Sequence, residues 1–436
     1  MCRTTKGFLF FTLVIALIAF TGCGKEETPA TATPEPVSKQ DVASTEFDPA
    51  GQCQYCHLDI YQQWQGSMHA LSFNNPVFQA EFKKTSGETD GAADAFCASC
   101  HTPVGWLANE VPPADGSALS DVAREGVTCD LCHAVTEITG VGNAAIHVSP
   151  GEVKFGSLED PLATPLHKSE FNQVYTQSEY CGACHDIVHP QNGLKLSSTY
   201  SEWEESSFGS RKTQCQDCHM TPGPGVSKPN PGVVATGAPK KREHTWTHYM
   251  TGSNVYAMRQ AGFDNHADLA EEKLQAAASM FLGLPDGLSP YQGARINVRV
   301  RNDGAGHYLP TGLTLYKEMW LEVIVTDGQG QVVFQGGVPD ASGALPADSI
   351  VYKTVFADAA GNETTNLWEA TKIIRDHRIP PQEYVDEFIE IPGLPLPGTL
   401  NVNVRLLYRS VAPGRAGVTE SPVVEMASVS GQVAVR

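Results

Sequence analysis

The chain has 436 residues, with 12 Cys, 40 Gly and 29 Pro, a length that suits two or three domains. Its formal net charge of −19 excludes a nucleic-acid partner, whose phosphates demand Lys and Arg. Acidic surface keeps a protein soluble and steers basic partners toward it.

The first segment reads as an export signal. Arg3 and Lys6 precede the apolar run GFLFFTLVIALIAF, too short for a permanent span and suited to a signal h-region. The run ends in AFTGC, so Cys23 follows the small residues Thr21 and Gly22. This resembles a bacterial lipobox, in which that Cys becomes the diacylated first residue. Phe20 departs from it, since Leu is usual there, and ordinary secretory cleavage nearby is the alternative. Residues 1–22 are thus a lipoprotein signal peptide. The expected location is exported, lipid-anchored through Cys23 to a periplasmic, outer-membrane or cell-surface face of a bacterial membrane. Residues 23–46, rich in Pro, Thr, Ala and Glu, read as a disordered tether that buries too little to offset its ordering entropy.

Residues 47–255 contain the chemistry. Apart from Cys2 and Cys23, every cysteine lies in a Cys-x-x-Cys-His: Cys53 and Cys56, Cys97 and Cys100, Cys129 and Cys132, Cys181 and Cys184, Cys215 and Cys218. Disulfides would explain paired cysteines in an exported chain, but not a histidine after each pair. Zinc would need four ligands per metal and gives no reason for that histidine. Cys-x-x-Cys-His is the attachment signature of c-type haem. Its thiols add to the two vinyl groups, and the next residue carries its imidazole to the iron. Five such motifs that use all the remaining cysteines predict five covalently bound haems c, with His57, His101, His133, His185 and His219 as proximal iron ligands.

The 14 histidines leave nine others: His69, His147, His167, His189, His244, His248, His266, His307 and His377. The opposite face of each iron can take His, Met or nothing. Two axial rings approach from opposite sides, so a residue one helical turn from a proximal histidine cannot cap the same haem. His189 would therefore serve a neighbouring haem or none. His244 and His248, if helical, would reach different irons. Met68, Met250 and Met258 are nearby sulfurs, but Met more often simply packs.

Several phrases around these motifs resemble the multihaem c-type cytochromes related to nitrifier cytochrome c-554, in a lipoprotein form with a C-terminal β-domain. They are CHLDIYQQWQGSMHA, EGVTCDLCH, PLHKSEFNQVYTQSEYCGACHD, TYSEWEESSF, CQDCHM, HYMTGSN, NDGAGHYLPTG and MWLEVIVTDGQGQVVFQGG. The resemblance implies haems held mainly by two histidines each, an exported location and electron transfer. It makes His69, His167 and His248 distal ligands. His307 matches a phrase position as a further candidate, and His244 is the fifth choice. His147 and His189 are reserves. His266 and His377 lie far from any haem phrase and read as surface or hydrogen-bonded core.

Residues 256–290 read as a helical connector, with Leu269, Leu274, Ala277, Ala278 and Phe281 at helical spacing over 266–283. In residues 291–436 the period becomes two, with Ile296, Val298 and Val300 alternating and an Asp-Gly turn joining two strands. A β-sandwich-like domain follows, read as stabilising or docking. The expected fold is mixed, a mostly α and irregular multihaem domain plus an all-β domain.

The functional expectation is a pentahaem electron carrier in a membrane-anchored respiratory or extracellular electron-transfer chain. Its partners would be redox proteins, among them other cytochromes, and the membrane through the lipid. No catalytic residue is assigned. The alternative is a multihaem reductase of a small nitrogen or sulfur oxyanion at an open-face haem.

Overall fold

A Cys-x-x-Cys-His sequence places its two thiols three apart, one above the other on a helix. Four of the five motifs lie in short helices: Asp94–His101, Cys129–His133, Glu179–His185 and Cys215–His219. The first follows Ala50–Cys53 into a turn that closes with His57 N–H on the Cys53 carbonyl at 2.9 Å. The computed structural model describes residues 39–436, except 163, 227 and 394–396. The signal, Cys23 and most of the tether read from the sequence lie outside the described residues.

The folded body begins earlier than the tether boundary at 46 implies. Val42 is buried in one cluster with Phe47, Trp106 and Leu107. Gln40 satisfies both backbone groups of Val148, accepting from its N–H at 2.6 Å and donating to its carbonyl at 3.0 Å. One apolar side chain and one amide suffice to end the tether near residue 39.

The haem-motif domain has two unequal halves. Residues 42–148 carry a conventional core of Phe73, Phe82, Val104, Leu107, Val122, Leu131 and neighbours, and the helix Pro103–Leu107 is wholly buried. Helix Pro76–Glu88 starts from an Asn75 cap on Val77 N–H and puts Val77 and Phe82 inward. Among the described residues of 149–254, the buried hydrophobic side chains are Ala183, Leu196 and Tyr200. So few cannot balance about 1–2 kcal/mol of backbone entropy per residue. An apolar prosthetic group of the kind the motifs predict would supply burial there.

The connector is helical over Val255–Gln260 and Asp264–Gln275, and its Ala267, Ala270 and Leu274 enter the core of the β-domain. The expected helix through residue 283 stops short. Ala278–Gly283 is a strand paired with Ala294–Asn302, with Met280 and Leu282 turned toward the core and Phe281 turned outward. Apolar residues at 278, 280 and 282 carry a period of two that the helical reading absorbed.

The C-terminal domain is two antiparallel sheets over one core. One has strands Val332–Gly336, Glu318–Thr326, Gly398–Arg409 and Val424–Val435 in that order. The other has Tyr384–Ile391, Ala294–Asn302 and Ala278–Gly283. Ile296, Val298, Val300 and Ile391 of the second sheet meet Leu321, Val323, Val402, Val404 and Leu406 of the first. This is the sandwich-like domain expected from the alternation. A small sheet of Glu363–Thr364, Thr354–Ala357 and Lys372–Asp376 faces the haem-motif domain, where Phe356 and Ala370 pack on Leu196 with Phe96 alongside. Further contacts join the halves, including Val77 with Val411 and Val418.

Candidate functional site

No disulfide joins any of the ten motif cysteines. Their helices draw thiols of different motifs together. Cys53 lies within hydrogen-bonding reach of Cys129, Cys100 of Cys184, and Cys181 of Cys215. The motifs are therefore neighbours in space, with the fourth meeting both the second and the fifth. Among the described residues no three His, Cys, Asp or Glu side chains gather into a metal cage. Donors come instead in twos.

Four proximal histidines face another histidine across a constant gap. Ring centres stand 6.3 Å apart for His57 and His167, 6.1 Å for His69 and His185, 6.4 Å for His133 and His248, and 6.2 Å for His219 and His307. These separations are too long for ring contact. An iron bonded to each nitrogen at about 2 Å, with ring centres about 1.1 Å further out, sets them about 6.2 Å apart. The residues present fit a six-coordinate haem iron at each of the four places.

The hydrogen bonds set the tautomers accordingly. Nδ1–H of His57 donates to the Val234 carbonyl at 2.6 Å, that of His133 to Phe155 at 2.6 Å, and that of His219 to Thr251 at 2.7 Å. On the facing rings, His248 donates to Trp246 at 3.2 Å and His307 to Tyr308 at 3.0 Å. His167 Nδ1 meets the Lys168 carbonyl at 3.2 Å. A neutral ring protonated at Nδ1 keeps its lone pair at Nε2, and the carbonyl fixes its orientation. Burial also lowers the pKa of His133 and His307. It holds His69 down to about 4, helped by His185, and holds His219 and His248 down to about 3. His69 Nδ1 is buried without a partner.

Residues 52–134 match the family described as cytochrome c554 and c-prime. The fold is that of a penta-haem cytochrome c552 from Thermochromatium tepidum, at 20% identity and a TM-score of 0.62, covering 88% of this chain and 99% of that one. The family match, which spans three of the five motifs, and the shared fold support a multihaem c-type cytochrome. Covalently bound haem c has the same support. No curated protein matches it. The CARDB domain of a Pyrococcus furiosus protein is also similar, at 10% identity over 36% of this chain and 87% of that one, but its TM-score of 0.18 supports no argument about the β-domain.

Within this cytochrome the fifth motif histidine to be placed, His101, stands apart. Its Nδ1–H donates to the Ser72 carbonyl at 2.9 Å, as those of His57, His133 and His219 do to theirs. Phe78 lies flat on its face, with ring centres 3.8 Å apart and planes 4° from parallel, which orients the ring without covering Nε2. No second imidazole faces it among the described residues. Tyr316, whose phenol burial pushes up, lies within electrostatic reach of Cys97 in the same motif.

His244, the fifth distal candidate, is not brought to His101. Its Nδ1 accepts from Asn230 N–H at 3.2 Å, so the neutral ring carries its proton on Nε2 and offers no lone pair there. That Nε2 is buried without a partner, and the ring stands edge-on to Trp246 at 4.4 Å. The reserves are engaged as well. His189 donates to the Trp368 carbonyl at 3.0 Å and accepts from Gln191 N–H at 3.2 Å. His147 meets the Gln40 amide at 3.0 Å and the Thr136 hydroxyl at 3.1 Å. His266 meets the Gln63 carbonyl at 2.8 Å, and His377 pairs with Glu387 at 2.9 Å. Met258 is buried in the β-domain core, and Met68 packs against it.

The sequence reading missed the carbonyls that aim the rings. Val234, Ser72, Phe155 and Thr251 act through backbone oxygen, which every residue has, so no side-chain signal marks them.

Proposed function

We propose that this cytochrome carries five haems, four of them between paired histidines, and relays electrons for an exported, membrane-anchored respiratory or extracellular chain. The observation that supports this most is the set of four imidazole pairs at 6.1–6.4 Å, on motifs whose thiols adjoin one another. Bound haem c supplies a one-electron iron couple, and two histidines hold it at lower potential than His with Met. The protein's part is to hold both rings neutral, aim Nε2 inward, and leave little coordination change between oxidation states. Close motifs keep successive centres near enough for rapid transfer. Redox proteins, including other cytochromes, are the partners this arrangement suits.

Intact mass and redox titration test the reading together. Protein matured in a host that attaches haem c should carry five haems and titrate over a broad, low range of potential. A stable protein with fewer haems defeats the count. The reductase alternative would have to use His101, and rapid saturable turnover of nitrite or hydroxylamine there would replace the carrier reading.

Anchoring at Cys23 belongs to the same proposal. Among the described residues no helix is long and apolar enough to cross a membrane. A diacylated Cys23 would hold the protein at a membrane face, since two chains bind stably where one does not. Cys23→Ala is expected to move the protein from the membrane fraction to the soluble exported fraction with its haem spectrum unchanged. Wild-type protein that is already soluble after export would end the lipid reading.

A further inference from the structure

The phrase TYSEWEESSF, residues 199–208, contains no haem-attaching cysteine and no ligand, so its place near the fifth motif needs another reason. It forms helices Thr199–Glu204 and Ser207–Ser210 against the loop of the β-domain that carries His307. Glu202 is 7% exposed and receives that loop directly. Its Oε2 accepts from Tyr308 N–H at 3.1 Å and from the Thr311 hydroxyl at 2.7 Å. Its Oε1 pairs with Arg378 Nη1 at 2.5 Å. Arg378 in turn lies over the Tyr308 ring, 4.8 Å from its centre, and also forks onto Asp376.

The surroundings leave the loop little freedom. Thr199 and Thr311 share a hydroxyl hydrogen bond at 2.9 Å. Asn302 donates to the His307 carbonyl at 2.8 Å. Gly306 passes so close to Phe208 that a Cβ would lie 3.3 Å from the ring. A buried carboxylate is tolerated only with partners, and here its hydrogen-bond partners are the residue after His307, a side chain four residues after it, and a cation packed on the loop.

We propose that Glu202 is the positioning residue that seats His307 opposite His219, so that this iron site also latches the β-domain to the haem domain. The inference rests on reading His307 as the axial ligand opposite His219. Glu202 does not touch the site. It acts through the Tyr308 backbone and the Thr311 side chain. This assigns TYSEWEESSF a role and makes the β-domain a working part of one haem centre.

The test compares His307→Ala, Glu202→Ala and Glu202→Gln in the full-length holoprotein, with equal haem content and far-UV circular dichroism checked first. His307→Ala should add one equivalent of carbon monoxide binding to the reduced protein and one high-spin ferric haem. Glu202→Ala should add a partial equivalent, of the order of half, because the ring is present but no longer held. Glu202→Gln keeps the one oxygen that serves both Tyr308 N–H and the Thr311 hydroxyl, loses only the charge facing Arg378, and should fall nearer wild type. If Glu202→Ala yields no holoprotein, Glu202→Gln alone carries the test, with carbon monoxide association at the new site at least severalfold faster than in wild type. His307→Ala that opens the site while both Glu202 variants match wild type overturns the inference and leaves the ligand reading standing. His307→Ala without effect overturns the ligand reading, and the positioning role with it.

Discussion

Cys181→Ala with Cys184→Ala is expected to abolish accumulation of folded protein, a loss of tenfold or more in haem-containing yield, whereas Cys53→Ala with Cys56→Ala should leave a stable protein short of one haem. The difference comes from where each motif sits. Cys184 adjoins Cys100 and Cys181 adjoins Cys215, so the fourth motif touches two others, and its His185 also faces His69. Its spacer is equally confined. Ala183 is fully buried, and a Cβ on Gly182 would lie 2.5 Å from the Tyr200 ring. Asp186, directly after the motif, accepts from Tyr200 and Ser201 N–H and so fixes the start of the Glu202 helix. The half of the domain that contains this motif has almost no apolar core of its own. Removing a prosthetic group there takes away burial that nothing else replaces. The first motif is peripheral by contrast, with Tyr55 81% exposed and Leu58 45% exposed. Haem-stained yield and intact mass of the two double variants decide the matter, and equal yields would show that no motif is central to folding.

The depth of that centre was only partly legible in the chain. The motifs announce covalent haem, because a histidine after each cysteine pair has no other reason to recur. The rings that face His57, His185, His133 and His219 were visible only through the phrases around His167, His69, His248 and His307. Their sequence separations from the proximal histidines run from 88 to 116 residues, and no periodicity spans such distances. Counting went astray at His244. Nine spare histidines invited one partner per iron, but spare histidines also serve as ordinary hydrogen-bonding groups, as His189 does with Trp368 and His266 with Gln63. Alternation in the β-domain was read correctly at Ile296, Val298 and Val300, where one face is buried and one is wet. It was missed at residues 278–283 because alanine fits either period. Glu202 stayed silent for a different reason. A carboxylate among SEWEE reads as solvated surface until the chain from residues 307–311 is laid over it.

Fully reduced wild-type protein is expected to bind about one equivalent of carbon monoxide, and His69→Ala about two. Carbon monoxide needs an iron whose sixth position is free, and it displaces a well-seated imidazole only slowly. His101 offers that position. Its ring is oriented, with Nδ1 on the Ser72 carbonyl and Phe78 flat against its face, so the iron-facing nitrogen is prepared as in His57, His133 and His219. What differs is the far side. His244 presents a protonated Nε2 elsewhere, and His147, His189, His266 and His377 are each committed to other partners. His69 makes the complementary case. It is buried, it faces His185 at 6.1 Å, and its Nδ1 has no hydrogen bond to retain it, so truncation removes the ligand without stranding a protein partner. The second equivalent should therefore appear with little loss of fold, and one low-spin ferric signal should vanish with it. Gas titration followed in the Soret band, with electron paramagnetic resonance of the oxidised protein, reads both numbers. No binding by wild type would mean that a side chain other than histidine caps the iron at His101. Two or more equivalents in wild type would mean that one of the four imidazole pairs does not close on its metal.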